Sequence, residues 1–372
     1  MQEKLASILE KLIAIPSVTS DTIACHDVLE YVRSEIEPLG LHITASPAET
    51  TNPWFYATTR NVKKPDILLA AHLDVVPAPS ELFTMRNQDG KLYGRGAYDM
   101  KLAAACYIAF LKENANQLHM LNIGVLFTTD EETGGNSIPD VIATGLRPNV
   151  IFIPDGGDNW EIEQRAKGFF GVRLYANGKA AHGSRPWEGD NALHRIMDVC
   201  HTLRGEYPFK SPDHGTLSIT SIKGGEAVNQ IADSASALMD FRSFDGSELN
   251  HFKKRLCDLA ELHGIEVQIS QTGDPVIFDK TAPAVQSFLT AYQSLRGEPA
   301  KYHDSYGGTD ARYFVPYNIP CIIVEPHGGS RHSDGEWVSL QSLEEYFELI
   351  EQWILSGKTV LADRIDHVSL TV

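Results

Sequence analysis

Apolar positions along this chain follow two rhythms. Leu5, Ile8, Leu9 and Leu12 recur at helical spacing and mark one apolar stripe, and the stretches Leu102 to Leu111 and Leu343 to Leu355 read the same way. Four short runs, Ile67 to Ala71, Ile123 to Phe127, Val150 to Ile153 and Cys321 to Val324, are instead β-rich and each gives way to polar groups. They predict central strands. Helical patterns alternate with them, so the expectation is an α/β fold with a mixed, largely parallel sheet flanked by helices.

The middle third changes period. Val172 and Leu174, then Leu217 and Ile219, then Ala237, Met239 and Phe241 alternate with polar residues, and helical segments run from Ala192 to Leu203 and from Glu248 to His263. Two helices beside about four strands predict a smaller α+β unit. Lys167-Gly168 and Gly273-Asp274-Pro275 are plausible crossings, which gives a catalytic domain over 1–168 and 283–372 interrupted by a second domain over 169–282. No repeat of fixed period is visible.

Composition narrows the picture. At 372 residues the chain exceeds what one core usually serves, and 42% hydrophobic with 22% charged residues marks a globular protein. A net charge of −17 argues against a nucleic-acid partner, which needs a basic surface. Met1-Gln2-Glu3-Lys4 leads straight into the first helical pattern, with no leader or membrane span in view. The five cysteines, Cys25, Cys106, Cys200, Cys257 and Cys321, are scattered without metal or redox spacing, so a reducing, cytoplasmic setting and buried thiols are expected.

Chemistry gathers behind the strand-like runs. Asp130, Glu131 and Glu132 stand together where the second run ends. Burying unpaired carboxylates costs several kcal/mol or forces protonation, so a metal ion is the expected partner, although a solvated loop is also permitted. His72 and Asp74 end the first run two residues apart, a spacing that suits a ligand and its orienting carboxylate, or a purely structural pair. Asp99, in Gly94-Arg95-Gly96-Ala97-Tyr98-Asp99, is a helix cap, a ligand, or both. Asp155 is either a turn aspartate or a ligand, and His332 draws interest from its Gly- and Ser-rich surroundings. His182 falls in the second domain, where it is either structural or delivered to a site by a moving or partner domain.

Taken in order, His72-Leu73-Asp74, Asp99 after Gly-Arg-Gly, Asp130-Glu131-Glu132, Asp155, His182-Gly183-Ser184 and His332 resemble the co-catalytic zinc peptidase and deacylase family. That family includes acetylornithine deacetylase, succinyl-diaminopimelate desuccinylase, aminoacylases, dipeptidases and glutamate carboxypeptidase. The resemblance implies two zinc ions per chain, with cobalt and manganese accepting similar ligands. Asp99 would bridge them, His72 and Asp155 complete one, and Glu132 and His332 complete the other. Glu131 would be the general base that activates a zinc-bridged hydroxide, and Asp74 would orient His72. His182 would be the lid histidine that family dimers contribute to the neighbouring active site, where it helps polarise the scissile carbonyl. The second domain would be a lid that forms a homodimer, carrying Asn229 and Arg242 as substrate contacts, with Gly308 and Thr309 framing the pocket. Leu102 stands where the family often has glycine, and aspartate at 155 is the shorter of two family options.

The expected activity is hydrolysis of the amide bond in N-acyl amino acids or small carboxylate-bearing peptides. Aspartate at 155 leans toward a dipeptidase or aminopeptidase needing a free amino terminus, whereas Arg242 and the single compact lid lean toward deacylases. Rivals of another kind are a catalytically silent peptide-binding or scaffold relative, and a di-metal phosphoesterase. No nucleic-acid or membrane partner is expected.

Overall fold

The structure, a computed structural model, describes residues 1–366, with side chains up to 356. It divides into two compact units. The first comprises Met1–Gln164, Phe278–Asp304 and the chain from Thr309 onward, and the second comprises Arg165–Ile277 with Ser305–Gly308.

The first unit is built on a six-stranded sheet in the spatial order His42–Ala45, Phe55–Thr58, Ile123–Thr128, Ile67–His72, Val150–Phe152, Cys321–Ile322. The last four strands run parallel and the first two add antiparallel at one edge, the mixed, largely parallel sheet expected. The apolar runs become strands because both faces are covered: Ile123–Thr128 is buried along its length. Helix Lys101–Glu113 lies in the core with every residue from Lys101 to Leu111 buried, Leu102 included. Helix Gln2–Ala14 turns Leu5, Ile8, Leu9, Leu12 and Ile13 inward, the stripe its spacing predicted.

Register decides which side chains meet. Ala71 pairs with Phe127 and His72 with Thr128, while Leu69 pairs with Phe152. The chain therefore leaves all three strands at one carboxyl edge, where ligands collect in such sheets. The fourth run departs from expectation. Only Cys321–Ile322 pairs as strand, and the chain then enters a separate antiparallel sheet ordered Gly328–Gly329, Trp337–Ser339, Lys91–Tyr93, Arg86–Gln88. His332 thus sits in the connection between two strands of this second sheet and not on the edge of the first.

The second unit has a four-stranded antiparallel sheet, ordered Thr216–Gly224, Ser234–Ser243, Gly168–Asn177, Glu266–Gly273, with helices Ala192–Glu206 and Gly246–Leu262. Its core is its own: Phe170, Val172, Leu174, Ala237, Met239 and Phe241 from the strands meet Ile196, Leu203, Phe252 and Leu256 from the helices. No helix among the described residues is long and apolar enough to cross a membrane.

Candidate metal centre

At the carboxyl edge of the main sheet, six of the predicted side chains form two groups. His72, Glu131 and Asp155 offer ligand atoms within 4.8 Å of one another, and Asp99, Glu132 and His332 do the same. Asp99 connects the groups, with Oδ1 3.0 Å from His72 Nε2 and Oδ2 2.8 Å from His332 Nε2. His332 Nε2 also lies 3.2 Å from Glu132 Oε2. Asp99 is no helix cap: the residue before the Lys101–Glu113 helix is Met100, reached through a cis Asp99-Met100 peptide.

Each group is held by something behind it. Asp74 is fully buried, and its carboxylate accepts the backbone N–H groups of Glu131 at 3.3 Å and Glu132 at 3.2 Å, plus the Thr19 hydroxyl at 2.8 Å. Its partner on His72 is mainly the backbone: Nδ1 donates to the Asp74 carbonyl at 3.0 Å, with Oδ1 farther off at 3.4 Å. Glu336 accepts from the N–H groups of Tyr98 and Asp99, and Arg95 pairs with it at 2.8 Å. Arg331 spans Asp155 at 3.6 Å, Asp158 at 3.3 Å and the buried Glu325.

Asp130 leaves the acidic trio. Its carboxylate accepts from the Ser137 N–H at 2.8 Å, the Ser137 hydroxyl at 2.5 Å and Asn52 Nδ2 at 3.1 Å, so hydrogen bonds and not a cation satisfy it. Only two of the three adjacent carboxylates face the cluster.

The electrostatics describe a site short of positive charge. Burial, then repulsion from Asp155 and Asp310, pushes the Glu131 carboxyl well up, and burial with Asp99 nearby raises Asp155. Burial opposes charge on His72, but hydrogen bonds to Asp74 and Asp99 outweigh it and hold the imidazole well above its ordinary value. The hydrogen bond to Asp99, followed by that to Glu132, lifts His332 to about 10. A divalent cation would bind neutral nitrogens and charged oxygens at these positions and supply the positive charge the carboxylates lack. Two histidines with four carboxylates are a donor set that suits zinc, manganese or cobalt. The residues therefore fit two metal ions.

The remaining predicted residues divide between the units. In the second, His182 and Asn229 come together, because Gln230 pairs with His182 across a bridge and the Gly183 N–H donates to the Asn229 carbonyl at 2.7 Å. Arg242 pairs with Asp240 at 2.8 Å and donates to the Tyr306 carbonyl at 3.1 Å. Gly308 lies so close to Phe169 that a Cβ there would come within 2.5 Å of the ring. Thr309 belongs to the first unit, buried, its hydroxyl accepting from the Ala311 N–H at 3.4 Å.

The sequence reading assigned no role of their own to Arg331, Glu325, Glu336, Arg95 and Asp310. Glu325 carried one signal, a carboxylate directly after an apolar run. Asp310, pushed up to about 7 mainly by burial, lines a small cavity with His72, Glu131 and Asp155.

A family model described as Peptidase family M20/M25/M40 matches residues 68–356. Succinyl-diaminopimelate desuccinylase of Hahella chejuensis (strain KCTC 2396) is 26% identical over 402 aligned positions, which span 96% of this chain and all of that protein. Among solved structures, a tripeptidase from Staphylococcus aureus subsp. aureus Mu50 superposes with a TM-score of 0.79 at 20% identity, covering 96% of this chain and 99% of that one. A dinuclear metal-binding M20 peptidase of Bacillus subtilis superposes with a TM-score of 0.69 at 16% identity, covering 96% and 98%.

Proposed function

The chain belongs to Peptidase family M20/M25/M40 and is a metallohydrolase of amide or peptide bonds, and on that premise we propose that it cleaves the amide bond of an N-acyl amino acid or small carboxylate-bearing peptide. The observation that carries the hydrolytic centre is the Asp99 carboxylate, which reaches His72 with one oxygen and His332 with the other. That supports a pair of metal ions, zinc in our reading, with Asp99 between them, His72 and Asp155 on one, and Glu132 and His332 on the other.

Bound there, the ions would supply Lewis acidity at the scissile carbonyl and acidify the attacking water. Glu131 takes the water's proton and returns it to the leaving nitrogen. Asp74 fixes the backbone on which Glu131 and Glu132 ride, and its carbonyl orients the His72 ring. His182 steadies the developing oxyanion, Asn229 and Arg242 contact the substrate, the arginine taking its carboxylate, and Gly308 and Thr309 frame the pocket. The second domain serves as the lid and, through its own surface, as the contact of a cytoplasmic homodimer.

Glu131→Ala tests the base. Loss of turnover with metal content unchanged supports it, whereas loss of one metal ion makes Glu131 a ligand, the reading favoured by its grouping with His72 and Asp155. A panel of N-acetyl and N-succinyl amino acids and free dipeptides tests the substrate class. Preference for free dipeptides would favour the dipeptidase reading, to which aspartate at 155 lends weight.

A further inference from the structure

The turn that carries Glu131 and Glu132 is gripped at both ends. Asp74 holds its first N–H groups. At the far end the Gly134 carbonyl accepts two hydrogen bonds, from Arg312 Nη2 at 2.6 Å and from the Tyr313 hydroxyl at 2.7 Å. The two donors brace each other, since Arg312 Nη2 lies 3.2 Å from the Tyr313 oxygen and the guanidinium carbon lies 4.3 Å from the Tyr313 ring centre. Arg312 is buried and pairs with Asp310 at 3.4 Å. Asp310 presses against the next residue of the turn, where a Cβ on Gly135 would stand 2.0 Å from its Oδ1.

Two donors on one carbonyl matter because of what Gly134 and Gly135 are. Both have positive φ, 109° and 59°, and neither has a side chain to pack. Within the turn they are held by backbone bonds, Gly134 N–H to the Glu131 carbonyl at 2.7 Å and Gly135 N–H to the Asp130 carbonyl at 2.8 Å, which leave the Gly134 carbonyl itself to outside donors. A swing of the Gly134 peptide would travel directly to Glu132 and Glu131. The carboxylates concerned must meet partners at about 3 Å, and displacement by about 1 Å at such a site can cost on the order of a hundredfold in rate.

We propose that Arg312 and Tyr313 are positioning residues for the acidic pair: by fixing the Gly134 carbonyl they keep the Glu131 carboxylate where proton transfer requires it. This rests on the reading of Glu131 as general base.

Tyr313→Phe removes one donor and little volume, Arg312→Lys keeps the charge but loses the fork, and the double variant removes both constraints. Each is compared with the parent in kcat and KM on the best substrate of the panel, in melting temperature, in metal content, and in amide hydrogen exchange over 131–135. The expected result is a kcat lowered about tenfold in Tyr313→Phe and further in the double variant, with KM within about twofold. Exchange over 131–135 should quicken while melting temperature and metal content stay near the parent's. Unchanged kcat and unchanged local exchange in the double variant would overturn the proposal. So would a loss of kcat that follows a falling melting temperature with exchange quickened throughout the unit. A fully active Glu131→Ala would remove the underlying reading of the base. An inactive Glu131→Ala beside an unaltered double variant would remove this inference alone.

Discussion

Glu336 Oε1 accepts the backbone N–H of Asp99 at 3.0 Å, joining the Gly-Arg-Gly loop to a residue near the end of the fold. Its other oxygen takes Arg95 at 2.8 Å, and both side chains are buried. Glu336→Ala would strand the Arg95 cation and free the Asp99 peptide. Breaking a buried pair from one side costs roughly 3–5 kcal/mol, so urea denaturation should show a loss of that order. Glu336→Gln keeps an acceptor for the loop and should lose less. A Glu336→Ala protein as stable as the parent would show that the pair does not hold the loop.

Arg331 and Glu325 make a second one-sided test. Glu325 has no exposed surface, so Arg331→Met leaves a buried carboxylate without its cation, a change expected to cost roughly 3–5 kcal/mol. Adding Glu325→Gln removes the stranded charge and should restore much of that loss. Additive losses in the four-protein cycle would mean that the two do not interact.

Gly135→Ala meets two obstacles at once. Its φ of 59° disfavours a side chain by about 1–2 kcal/mol, and the new Cβ would stand 2.0 Å from Asp310 Oδ1. The acidic turn should shift and turnover should fall by about two orders of magnitude or more. A steady-state assay showing parental kcat would contradict the close approach of Asp310 to Gly135.

Metal removal should lower stability as well as abolish activity, because the crowded carboxylates lose the cation that offsets them. Chelated protein should melt below the loaded form, and metal restored at a hundred times its Kd should return about 2.7 kcal/mol. Calorimetry of both forms at matched ionic strength is the check. Identical melting temperatures would count against a metal site at this edge.

Much of this was legible in the chain. The helix stripe at Leu5, Ile8, Leu9 and Leu12, the apolar runs and the switch to period two after Phe169 are local signals, and burial of one face or both produces them directly. The same signals marked His72, the 131–132 pair and Asp155 as residues at strand ends. His332 was legible as chemistry but not as placement, since its run was read as four strand residues and only two pair. What adjacency misjudged was Asp130, which looks like its neighbours in sequence and is satisfied by Ser137 and Asn52.

The sequence by itself determined the kinds of element and the types of ligand, because periodicity and residue chemistry belong to each segment alone. Tertiary structure decided which atoms meet. The parallel register of His72 with Thr128 and Leu69 with Phe152 sends three loops out of one edge, and the second sheet carries His332 to Asp99. The supports from Asp74 to the Glu131 and Glu132 backbone, from Glu336 to Asp99, from Arg331 to Asp155 and from Arg312 to Gly134 join residues tens to hundreds of positions apart. No local pattern encodes such a contact, since its energy exists only once the chain has folded.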